Sequence, residues 1–163
     1  MASLSYIMLT DTREQKELSF WRYSDVEAEH VYKLHVGDYA TIYKAVKRGR
    51  SYYFPSSLYF DRKSKGDLFS TFGNEESRAR YKRENELALQ LGIDLKVVVE
   101  CDALEIVKGY RYSKTPGLSL LRKLETMRRR YGIDFIYCTD RNDMKRKMFE
   151  RWVAEAKEWY GGL

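Results

Sequence analysis

Residues 58–72 read LYFDRKSKGDLFSTF, and the period of the chain changes inside them. Leu58 to Arg62 is short and apolar in alternation, as a strand is. From Lys65 onward Leu68, Phe69 and Phe72 fall on one patch of a helix. Upstream of this switch the chain reads mostly as strands. Ser5 to Leu9 is a buried strand running into Asp11, and Glu17 to Glu27 has no period and reads as loop. His30 to Val36 alternates as a second strand and ends at a tight Gly37-Asp38 turn. Tyr39 to Val46 is strand-like, Lys47 to Arg50 is a hairpin turn, and Ser51 to Phe54 returns along it.

Downstream, helices and strands alternate. Glu75 to Gln90 is a long charged helix stopped by Gly92. Leu95 to Val99 is a buried strand ending at Glu100, followed by a short helical turn over 102–107 and a loop over 109–115. Pro116 opens a helix carrying Leu120, Leu124, Met127 and Tyr131, and Gly132 closes it. Ile133 to Tyr137 is a further strand. The last helix runs from about Arg141 to Tyr160, with Met144, Met148, Trp152, Ala156 and Trp159 as its apolar stripe. Strands first, then helix–strand–helix–strand–helix, predict an α/β fold: a mixed central sheet flanked by helices. The Leu95 and Ile133 strands should pair in parallel.

With 163 residues, 44% of them hydrophobic, and no linker or internal repeat, the chain reads as one domain, 1–163. Thirty Lys and Arg against 24 Asp and Glu give a net charge of +6, which favours a polyanionic partner such as nucleic acid. No apolar run is long enough to span a membrane and the N-terminus lacks a signal-peptide pattern, so a cytoplasmic protein is expected. Cys101 and Cys138 each end an apolar run and read as buried reduced thiols; a zinc site would need more ligands.

The chemistry gathers at strand ends, where Asp11, Glu14, Asp38, Asp61 and Asp67 occur. Alternation puts Asp61 and Lys63 on the same face of their strand. If the Gly37-Asp38 turn lies beside them, two carboxylates and one ammonium share a cleft. Hard carboxylate oxygens suit Mg²⁺ or Mn²⁺, and a lysine beside them can orient water or stabilise a phosphorane. The bland alternative is a surface strand with a paired Asp and Lys.

Three ordered motifs carry a resemblance. Asp11-Thr12-Arg13-Glu14, then Val36-Gly37-Asp38-Tyr39, then Asp61-Arg62-Lys63-Ser64-Lys65-Gly66-Asp67-Leu68 are similar to the D-x-R-E, G-D and E-R-K-x-x-x-D motifs of the XPF-type nuclease domain. The likeness extends through Arg80 to Glu84, Val97 to Glu100 and the Pro116 to Trp159 stretch, nearly the whole chain. It implies a restriction-endonuclease-like core of the PD-(D/E)xK superfamily that cuts DNA, often branched or flapped, with Mg²⁺ or Mn²⁺. By that resemblance Asp38 and Asp61 are metal ligands, with the Arg62 carbonyl a third, and Lys63 is the catalytic lysine. Asp11, Arg13 and Glu14 line the site, and Asp67 supports Lys63 or Arg62. Such a nuclease fits bacterial or phage recombination and DNA repair.

This chain departs from the pattern in three places. Asp61 stands where the family has Glu. The stretch from Asp38 to Asp61 is longer, an extra hairpin whose tip, with Lys47, Arg48 and Arg50, can meet DNA. With the sequence ending at Leu163, the tandem helix-hairpin-helix module of many relatives, the usual route to dimerisation, is not expected. Arg80 and Arg83, with Arg78, Lys82 and Tyr81, read equally as a phosphate-tracking face or as an i,i+4 salt-bridged helix. Tyr52, Tyr53, Tyr110 and Tyr112 can stack on unpaired bases or cover the core rim. Trp152 and Trp159 read as docking the last helix; the rival reading, a dimer seam, would make a homodimer. Two rival functions stand beside the DNA endonuclease: a catalytically silent nucleic-acid-binding module of the same fold, and an RNA-directed enzyme of the same superfamily.

Overall fold

The computed structural model describes residues 3–163. Five strands come first: β1 (Ser3–Thr10), β2 (Val26–Val31), β3 (Tyr39–Lys47), β4 (Arg50–Pro55) and β5 (Leu58–Lys63). Then follow α1 (Lys65–Gly73), α2 (Glu75–Gln90), β6 (Asp94–Val99), α3 (Ala103–Val107), α4 (Gly117–Tyr131), β7 (Phe135–Tyr137) and α5 (Arg141–Gly161). The seven strands make one sheet in the order β2-β1-β3-β5-β6-β7, with β4 also paired to β3. β1 is antiparallel to β3 and β3 to β5, whereas β5, β6 and β7 run parallel. The expected parallel pairing of the two late strands is present.

Each face of the sheet carries its own core. On one, Tyr6, Tyr43, Phe60 and Val98 pack against Met148 and Trp152 of α5. On the other, Val97 and Val99 pack against Phe72, Tyr81, Leu120 and Leu124 of α1, α2 and α4. Phe60 and Val98 sit on the α5 face, Val97 and Val99 on the opposite one, as period-two alternation requires. Trp152 is fully buried and donates its indole N–H to the Leu58 carbonyl at 2.9 Å, docking the last helix. Cys101 and Cys138 are free and buried. Among the described residues no helix is long and apolar enough to cross a membrane.

The extra stretch is the β3–β4 hairpin, closed by Arg48 and Gly49, both at positive φ (52° and 74°). That pair of angles is the tight turn whose twist matches a hairpin. β4 and β5 lie end to end along the same edge of β3, broken at Ser56 and Ser57. Glu155 of α5 holds the break. Its carboxylate accepts from the hydroxyls of Tyr43, Ser56 and Ser57 and from the Ser57 amide at 3.1 Å.

The second strand lies earlier than its pattern suggests. β2 spans Val26–Val31, within and beyond the stretch read as loop, and pairs in parallel with β1. Residues 32–36, read as strand, are loop. The cause is Asp11, whose Oδ1 accepts from the Leu34 amide at 2.8 Å, so that a side chain replaces a ladder partner. Val36 alternates because it plugs the second core, not because it belongs to the sheet.

Candidate active site

The carboxyl ends of β1, β5 and β6 and the start of β3 share one edge of the sheet, and there the side chains converge. In open α/β sheets this edge is where ligands bind. Asp38 is the knot. Its amide donates to the Phe60 carbonyl at 2.8 Å, and its carbonyl accepts from the Asp11 amide at 2.8 Å. Gly37 makes the turn at φ +71°, where a Cβ would stand 3.0 Å from Leu95 Cδ1 and 3.1 Å from the Phe60 oxygen. Only glycine fits both the angle and the space.

Alternation along β5 then sorts its last three side chains. Asp61 and Lys63 turn to the α1–α2 face, and Lys63 Nζ lies 3.1 Å from Asp61 Oδ2. Arg62 turns to the other face, where its guanidinium, 7% exposed, meets Glu14 at 2.9 Å and Glu100 at 2.9 Å. The Arg62 amide donates to Asp38 Oδ2 at 2.8 Å. Because a strand residue sends its amide and carbonyl to the same side, the Arg62 carbonyl faces the Asp38 side too, past the end of β3.

Electrostatics mark this place as incomplete. The Asp38 and Asp61 carboxyls are near enough for Asp61 to act on the charge of Asp38. Burial and then Asp61 raise Asp38 well above the ordinary carboxylate range. Burial opposes the Lys63 ammonium, yet Asp61, Asp38 and Glu84 outweigh it and hold Lys63 above its usual value. Two buried side-chain atoms of the described residues lack hydrogen-bond partners, Asp61 Oδ2 and Tyr81 Oη. Lys63 is near Asp61 Oδ2 but out of line for a hydrogen bond, and it lies over the Tyr81 ring at 5.8 Å. Both orphans therefore belong to one locus, and an unpaired buried carboxylate oxygen is an acceptor that a cation or water can use.

Asp11, Arg13 and Glu14 are built differently. Asp11 is fully buried and accepts from Arg13 Nε at 2.6 Å, the Arg13 amide at 3.0 Å and the Leu34 amide. Burial opposes its charge, but these donors win and its pKa is lowered. Glu14 is likewise lowered, burial being outweighed by Arg62. With their oxygens engaged, Asp11 and Glu14 brace the loop and Arg62. Arg13 is largely exposed and lies within Coulombic range of Asp38 and Glu84. Asp67 bonds the hydroxyl (2.7 Å) and amide (3.3 Å) of Ser64, closing a capping box on α1. Its hydrogen bonds go to neither Arg62 nor Lys63.

Glu84 joins the site from α2, a residue that is not among those the sequence motifs single out for it. Its Oε1 accepts from the Gly37 amide at 3.3 Å, and burial followed by Asp61 raises its pKa. A signal was present: Glu84 lies three residues after Tyr81 and four before Ala88, both buried, so it falls on the inward stripe of α2. With Lys63, Tyr81 and Arg80 it lines a cavity of about 230 Å³. Arg80 and Lys82 pair with Glu76 and Glu86 at 3.8 Å each, while Arg83 is exposed. Arg48 and Arg50 lie at the far end of β3, about 30 Å of extended strand from Asp38.

The donor set fits a hard divalent cation: two facing carboxylates, one with an unused oxygen, and a backbone carbonyl on the same side. Among the described residues no group of three Asp, Glu, His or Cys side chains converges to hold a metal, so any remaining ligands would be carbonyl and water.

This sheet order, with the helices on its two faces, defines an XPF-nuclease-like fold. The particular likeness is to XPF from Aeropyrum pernix, at a TM-score of 0.60 and 16% identity, covering 94% of this chain and 69% of that one. The structure of XPF from Aeropyrum pernix in complex with DNA matches at the same TM-score and identity over 91% of this chain and 65% of that one. No family model matches the chain and no curated protein does.

Proposed function

We propose that the chain is a Mg²⁺- or Mn²⁺-dependent DNA endonuclease of the XPF type, selective for branched or flapped DNA. The observation that carries this is the pair of neighbouring carboxylates, Asp38 and Asp61, with an Asp61 oxygen that makes no hydrogen bond and lies 3.1 Å from Lys63 Nζ. The likeness to a fold that has been solved in complex with DNA supports the substrate class. Asp38, Asp61 and the Arg62 carbonyl would hold the ion. When bound, it polarises a phosphate oxygen and acidifies water. Lys63, on the same face as Asp61, is placed to orient that water or to stabilise charge on the phosphorane. Asp11, Glu14 and Arg62 fix the backbone that presents these groups, so their part is positional. Arg80 and Arg83 on α2 and Arg48 and Arg50 on the hairpin offer phosphate contacts.

The test is Mg²⁺- or Mn²⁺-dependent cutting of flap, fork and duplex DNA by wild type and Asp38→Ala. Loss of cutting in the variant, with its fold intact by circular dichroism, is expected. Equal cutting by both would refute the site. Tight DNA binding without any cutting would favour the catalytically silent module.

A further inference from the structure

A second cavity opens beside the candidate active site. It measures about 560 Å³ and lies between α1, the start of α2 and the loop ahead of α4. Its volume falls within the ~300–1,000 Å³ usual for small-molecule sites. Phe69, Gly73, Tyr110, Tyr112 and Lys114 line it. Ser70 and Ser77 line both this cavity and the one holding Lys63, Tyr81 and Glu84, so the two are neighbours that share a wall.

An aromatic ladder climbs its wall from the core to solvent. The Phe69 and Tyr110 ring centroids are 5.9 Å apart, and those of Tyr110 and Tyr112 are 5.5 Å apart. Phe69 is buried, Tyr110 half-buried, and Tyr112 74% exposed. The middle rung packs closely on α1: a Cβ on Gly66 would stand 2.9 Å from Tyr110 Oη. The Arg111 guanidinium lies 4.7 Å from the centre of the Tyr112 ring. The rim is basic. Lys114 lines the cavity; on the other side of Gly73, Lys123 and Arg78 line an adjoining hollow, where Lys123 Nζ reaches the Gly73 carbonyl at 3.4 Å and Arg78 the Phe72 carbonyl at 2.8 Å.

An exposed aromatic platform bordered by cations and adjoining the candidate active site is what a single strand requires: a π-face for a base and charge for its backbone. Duplex DNA keeps its bases stacked inside and offers Tyr112 no face. We propose that this groove holds the unpaired DNA strand of a flapped substrate, with a base stacked on Tyr112 and phosphates met by Lys114, Lys123 and Arg78. The inference rests on the nuclease reading and names the arm of the substrate that this chain grips.

The experiment measures, in EDTA, the affinity of wild type, Tyr112→Ala and Lys114→Ala for flapped and for blunt duplex DNA of equal length. The flap carries 2-aminopurine near the branch. Tyr112→Ala should weaken flap binding roughly tenfold, the worth of one base–aromatic stack, and leave blunt-duplex binding and melting temperature unchanged. Wild type should quench the 2-aminopurine and Tyr112→Ala should not. Lys114→Ala should lower flap affinity and flatten its salt dependence. Unquenched fluorescence in wild type, or equal losses on both DNAs, would overturn the subsite. Cutting in Mn²⁺ is scored separately. Cutting with no Tyr112 effect would discard this groove alone. A Tyr112 effect without cutting would keep the groove and discard the catalytic reading.

Discussion

Ionising Asp38 carries a cost in the folded protein. Burial and Asp61 raise its pKa, so the folded chain keeps a proton there that the unfolded chain sheds above about pH 4. Stability therefore falls as pH climbs from the unfolded value toward the raised folded one. Asp38→Asn removes that loss and retains an acceptor for the Arg62 amide. In EDTA at pH 8 the variant should melt about 3 °C or more above wild type. Mn²⁺ should then raise the melting point of wild type and leave the variant where it is. Scanning fluorimetry reads both, and a variant that melts lower in EDTA, or that Mn²⁺ protects equally, would contradict the assignment. Glu84 allows a companion test. It touches the Gly37 turn and faces Asp61 without sharing a three-acid cluster. Residues that act on an ion through its water or its ligands typically change affinity ten- to a hundredfold. Glu84→Gln should weaken Mn²⁺ binding about tenfold by calorimetry with the fold intact, whereas unchanged affinity would make Glu84 a structural neighbour only.

At the scale of elements, Glu155 is where α5 fastens the broken β4–β5 edge. Its carboxylate serves Tyr43, Ser56 and Ser57 together. Glu155→Ala removes the acceptor these groups share, leaving the Tyr43 and Ser56 hydroxyls only each other and the Leu58 backbone, and should cost about 2 kcal/mol, near 6 °C in melting point. Burial opposes the Glu155 charge, but the serine and tyrosine donors win and its pKa is lowered. The stabilisation from ionisation is thus present above the unfolded value of about 4.3 and fades as pH falls through the folded one, so the gap to wild type should narrow in acid. A gap independent of pH would show that shape, not charge, holds the joint. The same scale shows what the sequence discloses. The helices were legible because apolar residues recur at helical spacing, Pro116 opens α4 and Gly132 ends it with a left-handed turn; Asn74, Asp102 and Asp140 cap three of the others. β5 and the Asp61–Lys63 pair were legible because period two is local information. β2 was not: its exposed residues carry little pattern, while the 32–36 loop borrows alternation from Val36 and a backbone partner from Asp11. Glu84 was hidden because a charged helix masks one inward acid among many outward ones.

Across the whole molecule, the hairpin and the candidate site sit at opposite ends of β3. Ten residues separate Asp38 from Arg48, about 30 Å of strand. A duplex rises 3.4 Å per base pair along either strand, so a DNA arm leaving the site toward the hairpin meets its tip after about nine base pairs. Arg48 and Arg50 are exposed there, and Arg48 sits at φ 52°, which asparagine tolerates better than alanine. The double variant Arg48→Asn, Arg50→Gln should therefore lower affinity for DNA with arms of about fifteen base pairs and reduce the salt slope by up to ~2. With arms trimmed to about six base pairs the variant and wild type should bind alike, because the DNA no longer reaches the tip. Anisotropy titrations across arm lengths decide it. If the variant loses the same affinity on short arms, the hairpin folds back on the DNA near the site. If it loses none on long arms, the DNA leaves in another direction and the inserted hairpin serves something else.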